Sequence, residues 1–396
     1  MASGNGNDDA ASSKTTPIKR QRFTGTLSPH ASASDPHAPP SPILPFELIA
    51  EILQWVPAKL LLPLQCTCKS WKTLISDPLF AKNHLRDSPK STRLALSFAS
   101  PTREFVLRSY PLHGVFDAAP IGATELRYPS NNRKCFDLIV GSCDGVLCFA
   151  VNQSRVLLWN PCIGKSKRLP PLKNQRREGS YTIYGFGYDG FSGSYKVVAV
   201  FSYECDGNGG SNGYKSEVKV LTLGTDSWRE IRGFPSVVPL DESGKFVSGS
   251  VNWLASKSSY SSVIVSLDLQ KESFQEVLQP DYGDVAVLDL TLGVLRDCLC
   301  VVAHGYNLLD VWLMQDYGNR ESWTKLFSFP CLETPGSFPC VKALGLSEDD
   351  QLLLEFGSKI VVYNTRDSTY ETLQIQDINE CVASEVYIES LISPCS

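Results

Sequence analysis

The sequence predicts a two-part α+β chain, in which three short helices follow an unpatterned tail and an all-β, propeller-like domain of about six blades completes it. Three observations carry this reading. Apolar residues stand at helical spacing over residues 44–85 and at strand spacing from Arg93 onward. Four segments of the second part repeat one plan around Trp228, Phe274, Trp323 and Tyr370, which lie 46, 49 and 47 residues apart. The 396 residues, 42% hydrophobic and 20% charged, have a globular composition and exceed one average domain.

Residues 1–43 are rich in Ser, Ala, Pro, Gly and Asn, a composition that cannot offset the conformational entropy of folding, and they are read as a disordered tail. The cluster "IKRQR" (Ile18 to Arg22) within it fits a nuclear localisation signal or plain solvated charge. No run of 18 apolar residues occurs and the first residues lack the apolar core of a signal peptide, so the chain is expected in the nucleus or cytoplasm with no membrane partner. A net charge of -5 supplies no basic field for phosphate backbones, and nucleic acid is not an expected partner. Thirteen cysteines, an odd and scattered set, are expected to be reduced and mostly buried.

The helices come next. Pro45 suits a first helical position, and Glu47 and Glu51 favour the positive end of the helix. Ile49, Ile52, Leu53 and Val56 fall at i, i+3, i+4 and i+7, and Pro57 ends the run. Leu60 to Leu62 open a second helix. Leu64, Cys68, Trp71 and Ile75 are expected on one face of the next. "SDP" (Ser76 to Pro78) reads as a stop, a new N-cap and an N1 proline, leading a last helical turn with Phe80 and Leu85. These parts define a helical module over 44–89 and a β domain over 90–396.

From Arg93 the pattern becomes short alternating or β-branched runs bounded by Gly, Asn, Asp and Pro. "VKVLTLGTDSWREI", "VIVSLDLQKESFQEV", "DVWLMQDYGNRESWTKL" and "IVVYNTRDSTYETL" each give an apolar strand, a polar turn, an aromatic and a second strand. "RVLLWNPCIGKSKRLP" (Arg155 to Pro170) is an earlier copy, and the insert "ECDGNGGSNG" (Glu204 to Gly213) accounts for its wider spacing. Each copy follows a Gly-led apolar segment. Four strands at a period near 47 residues describe propeller blades, five of which are visible. Strands within Arg93 to Leu112 are expected to join Val382 to Ile392 in a sixth, closing the ring and removing an exposed edge.

Nothing in the sequence forms an enzyme site. "GKS" (Gly164 to Ser166) lacks the glycine five residues earlier that a phosphate loop needs, Trp159 standing there instead. Cys66 with Cys68 and Cys298 with Cys300 have no partner pair at zinc-ligand spacing and are read as buried structural thiols. His304 reads as a strand-end residue. No catalytic residue, cofactor or metal is expected.

Three helices of this size cannot bury Leu44, Ile49, Ile52, Leu53, Leu61, Leu62, Leu64, Trp71 and Ile75 among themselves. Composition leaves two outlets open, a partner protein or the β domain. The segment 44–85 resembles an F-box through "LP" (Leu44-Pro45), "EIL" (Glu51 to Leu53), Pro57, "LL" (Leu61-Leu62), "CTCKSW" (Cys66 to Trp71), "LISDPLF" (Leu74 to Phe80) and "HL" (His84-Leu85). The remainder resembles the associated interaction domain of plant F-box proteins, with "GSCDGVLCF", "WNP", "YGFGYD", "YKVV", "VNWLA" and "SWTKLF" in order. Such a resemblance implies a substrate receptor of an SCF-type ubiquitin ligase, the alternatives being an interaction propeller outside any ligase, or a glycan-binding or enzymatic propeller. The receptor's F-box docks on a Skp-family adaptor and through it a cullin, and its propeller selects a protein substrate. Leu44, Pro45, Ile49, Ile52, Leu53, Leu61, Leu62 and Trp71 are then the expected adaptor-binding residues or the packing behind them; no substrate-binding residue is legible. Pro63, Gln65 and Trp55 depart from the family's usual basic or polar residues. Pro63 removes a helical N–H and is expected to bend or shorten its helix, whereas Trp55 is either a new apolar contact or packing.

Overall fold

The computed structural model describes residues 44–395 apart from 100–103, 118–121, 130–136, 152–153, 175–176, 178, 206–212, 236, 241, 259–260, 284–285, 331–339 and 374–380. The expected disorder of the tail and the core of the glycine-rich insert lie outside these residues. Four helices open the described chain: α1 (Phe46–Gln54), α2 (Ala58–Leu64), α3 (Lys69–Ile75) and α4 (Pro78–Asp87). Pro63 stands in the last turn of α2, which stops one residue later, and Cys66 N turns back to Pro63 O at 3.0 Å.

The face expected of Leu64, Cys68, Trp71 and Ile75 is broken by that stop. Leu64 ends α2, and Cys68 is the extended, exposed N-cap of α3. The Asp77 carboxylate accepts from Leu79 N and Phe80 N at 2.8 and 3.0 Å, with Pro78 at the first position. These caps sustain a ten-residue helix instead of a single turn. Buried His84 on α4 bonds through Nε2 to Val56 O at 2.8 Å, tying the last helix to the end of the first.

Six sheets follow, one per blade. Blade 2 shows the plan: strands Leu138–Cys143, Val146–Val151, Arg155–Asn160 and Lys165–Arg168 pair antiparallel in sequence order. Blade 3 spans Tyr181–Glu230, blade 4 Val238–Val277, blade 5 Asp289–Pro330 and blade 6 Val341–Thr372. The sequence repeats are the third and fourth strands of blades 2 to 6, which explains a period of one blade.

Their repeated aromatics pin neighbouring blades together. Trp228 Nε1 donates to Pro170 O (2.8 Å), Trp323 Nε1 to Leu278 O (2.8 Å) and the Tyr370 hydroxyl to Pro330 O (2.9 Å). In each case the acceptor lies at the exit of the preceding blade. Phe274, without a polar atom, instead packs edge-on against Phe234, ring centroids 5.3 Å apart.

Blade 1 closes the ring. Its strands Thr92–Ala99, Phe105–Pro111 and Thr124–Glu125 are joined by the C-terminal strand Cys381–Ile388, paired from Thr92↔Ile388 to Phe98↔Cys381. That last strand is innermost, facing the first strands of blades 2 and 6. A five-residue helix, Leu112–Phe116, interrupts the blade and is too short to show a period in the sequence.

The chain then continues under blade 2. Asn160, the middle residue of "WNP", is fully buried, and its Nδ2 faces Ser390 O (3.0 Å), Ser390 Oγ (3.2 Å) and Ile392 O (2.8 Å). Its Oδ1 accepts from Cys162 N at 2.8 Å. Ser390 Oγ in turn donates to Asp144 O at 2.6 Å. This docking leaves no room beside Gly145, whose φ is +82° and where a Cβ would meet Ile388 O at 2.5 Å. Only glycine meets both demands without strain, which accounts for the second glycine of "GSCDGV".

Candidate functional site

The candidate interface is the surface of α1 and α2, and its geometry follows from two apolar stripes on one short helix. Ile49, Leu53 and Val56 form one stripe, with Leu53 only 3% exposed. Leu48, Ile52 and Trp55, at i, i+4 and i+7, form another about 100° round the helix. This second stripe faces outward, Ile52 being 56% and Trp55 64% exposed. Ile52, grouped from its spacing with Ile49, Leu53 and Val56, therefore belongs to the neighbouring, open stripe.

The inward stripe is spoken for. Leu53 and Ala58, Leu61 of α2, Ile75 of α3 and Phe80 and Ala81 of α4 belong to one packed cluster with Tyr195, Leu221 and Leu223 of blade 3 and with Leu391 and Ile392 beyond the last strand. Of the two outlets left open by composition, the helices take up the second in part by sharing this cluster with the propeller, with α1 itself packed against α4, while the stripe of Leu48, Ile52 and Trp55 stays exposed. Leu391 and Ile392 sit where they do because Asn160 holds the segment carrying them. The end of the chain is a wedge shared by helices and propeller.

The residues expected at the adaptor contact separate accordingly. Leu53 and Leu61 are buried; Ile49, Leu62 and Trp71 are half-buried and pack on the same cluster; Leu44, Pro45 and Ile52 are exposed. Phe46, Leu48, Leu60 and Leu79 are exposed apolar residues that sequence reasoning did not single out. A helical wheel of α1 alone would have shown a second stripe, but not which of the two the fold covers.

Cysteine placement differs from expectation. Among the described cysteines, all free, Cys143, Cys148 and Cys300 are buried, but Cys66, Cys68, Cys340 and Cys395 are exposed. The Cys68 thiol lies 3.1 Å from Ser70 Oγ, a contact that lowers its pKa. Short loops and caps, where most of these thiols sit, cannot be buried as strand interiors are.

On the propeller, a hollow of about 590 Å³ is lined by Cys143, Asp144, Tyr188, Asp189, Phe191 and Phe246 among others. Its carboxylates are already engaged. Asp144 accepts from the Tyr195 hydroxyl at 2.8 Å, and burial raises its pKa. Burial would raise Asp189 too, yet hydrogen bonds from Ser192 and Lys196 outweigh it and hold the group low. Lys196 Nζ lies 3.0 Å from Asp189 and 3.1 Å from Glu272, which also receives Arg229 at 2.7 Å. That network ties blade 3 to blade 4. Among the described residues no group of three or more His, Cys, Asp or Glu is placed to hold a metal. His304 ends a strand of blade 5, buried, with its pKa lowered by desolvation.

The chain thus joins helices with one exposed apolar stripe to a six-bladed ring. Residues 42–83 match the F-box domain and residues 124–394 the F-box associated beta propeller domain. The chain belongs to the family of F-box proteins with an associated β-propeller. An F-box/kelch-repeat protein of Arabidopsis thaliana, At3g23880, is 33% identical over 365 residues, covering 89% of this chain and 96% of that protein. The F-box protein CPR1 of the same species is 28% identical over 382 residues, covering 89% of each. Membership supports a substrate-receptor role in an SCF-type ubiquitin ligase in general, with the F-box implying a Skp-family adaptor as partner.

Proposed function

We propose that this protein is the non-catalytic substrate-recognition subunit of an SCF-type ubiquitin ligase, working in the nucleus or cytoplasm. The outward stripe of α1 docks on a Skp-family adaptor, the adaptor engages a cullin, and the propeller presents a protein substrate for ubiquitination. The observation that carries this reading is the division of α1 into one stripe packed inward, in the cluster that the helices share with the propeller, and one left open. A helix that buries its other face in a rigid body offers its open stripe at a fixed orientation, so docking does not have to order it first.

Mechanistically, such a receptor performs no bond-making step. It raises the effective concentration of substrate near the ligase, a gain that depends on the rigidity of everything between the two surfaces. Two features of this chain supply rigidity: the shared apolar cluster under the helices and the Asn160 clamp on the chain end.

The test is substrate turnover. Proteins recovered with the full chain while the proteasome is blocked are compared for half-life in cells expressing the native chain or an Ile52→Asp variant. A captured protein whose half-life lengthens with Ile52→Asp, though still bound, supports the receptor role. Capture with half-lives indifferent to that variant contradicts it.

A further inference from the structure

We infer that Trp55 is an adaptor-contacting, specificity-determining residue, seated in an apolar pocket of the Skp-family partner and flanked by Leu60. This deepens the receptor reading and rests on it. The sequence left Trp55 as either packing or contact, and the structure removes the first: at 64% exposure the indole has no core to fill. It is placed by its neighbours instead. Trp55 N bonds to Ile52 O at 3.1 Å, Val56 packs on the inward cluster, and Pro57 turns the chain into α2. Leu60 N returns to Pro57 O at 2.8 Å, and Leu60 is itself 59% exposed. Two large apolar side chains therefore flank one tight turn and face away from the core.

The occupant follows from continuity. Trp55 completes the stripe of Leu48 and Ile52, so whatever covers Ile52 reaches Trp55 one helical turn on. Exposed contiguous apolar surface of this kind marks a protein contact, and Trp is the residue type most concentrated among interface residues of large individual effect. Glu51 stands one helical turn before Trp55 and Lys59 beside Leu60, both exposed and charged. Truncating an indole at the centre of such a contact is expected to weaken binding by about 30-fold or more, mainly through faster dissociation.

The experiment measures binding of a purified Skp-family adaptor to the purified full-length chain, native and as Trp55→Ala, Trp55→Phe, Trp55→Arg and Leu60→Ala, with melting temperature and molar mass in solution as companions. The expected result is unchanged melting, a loss of about 30-fold for Trp55→Ala and Trp55→Arg, and recovery of most affinity by Trp55→Phe. Repetition with a second adaptor paralogue is expected to give a different loss, because the pocket for the ring belongs to the partner. Native binding with Trp55→Ala within about twofold would overturn this inference and leave the receptor reading standing. A lowered melting temperature for Trp55→Ala would assign the ring to packing, and a native dimer dissolved by Trp55→Ala would assign it to self-association; either overturns the inference. Failure of the native chain to bind any adaptor would overturn the receptor reading with it.

Discussion

Replacing Asn160 tests whether the end of the chain is clamped as described. Its side chain is fully buried and serves Ser390 O, Ser390 Oγ, Ile392 O and Cys162 N, so Asn160→Ala strands two carbonyls and an N–H inside the protein. Each buried group left unpaired costs about 1–3 kcal/mol. Allowing for water entering the vacated space, about 3 kcal/mol is expected for the substitution. In a protein of this size that corresponds to a melting temperature lower by about 5 °C. Asn160→Asp is the sharper probe. It keeps the acceptor for Cys162 N but sets a carboxylate oxygen against the carbonyls of Ser390 and Ile392, so at neutral pH it is expected to be less stable than Asn160→Ala despite being nearly isosteric with asparagine. Scanning calorimetry at pH 7 gives the order, and limited proteolysis near Ser88 reports whether the helices loosen when Leu391 and Ile392 lose their support. Asn160→Asp equal to or more stable than Asn160→Ala, or Asn160→Ala melting within about 1 °C of native, would refute the clamp.

Other consequences are open to direct measurement. Ending the chain before Cys381 removes the innermost strand of blade 1 and exposes ladder edges, so light scattering should show aggregation; a monomer with native melting would count against ring closure. Tyr370→Phe keeps its ring but loses the bond to Pro330, so urea unfolding should fall by about 1 kcal/mol, and Trp228→Phe, which loses the bond to Pro170 and part of its ring, should cost more; unchanged midpoints would deny the pinning role. Glu272 is held below the ordinary carboxylate range first by the Arg229 hydrogen bond, with Lys196 contributing, against an opposing effect of burial. Because its folded pKa is depressed, its stabilisation is complete above the unfolded value of about 4.3 and is lost as pH falls through the lowered one; Glu272→Gln should destabilise at pH 7 and converge on native once the pH lies below that lowered value, and a pH-independent difference would contradict the network.

What could be read in the sequence depended on how local its cause was. The blade repeat, the closing role of Val382 to Ile392 and the cap at Asp77 each depend on a few neighbouring residues or on a periodic pattern. The side of α1 that packs inward does not. Ile49 and Ile52 are equally apolar and three apart, and only the packing of α1 against α4, in the cluster that Leu391 and Ile392 also join, decides which is covered. "WNP" was visible as a motif, but the task of its asparagine lies in Ser390 and Ile392, and the Lys196 ion pairs likewise join separate blades. The exposed thiols Cys66 and Cys68 were misread because composition averages over a chain, while burial is set turn by turn.

Assembly with both partners tests the central claim most directly. The purified full-length chain is mixed with a Skp-family adaptor and the adaptor-binding part of a cullin, and molar mass is measured across a size-exclusion column. The receptor account predicts a single species containing one copy of each, lost when Leu48 and Ile52 on the open stripe are both changed to Asp while the chain stays folded. A native chain that elutes alone, or a complex indifferent to Leu48→Asp with Ile52→Asp, would contradict it.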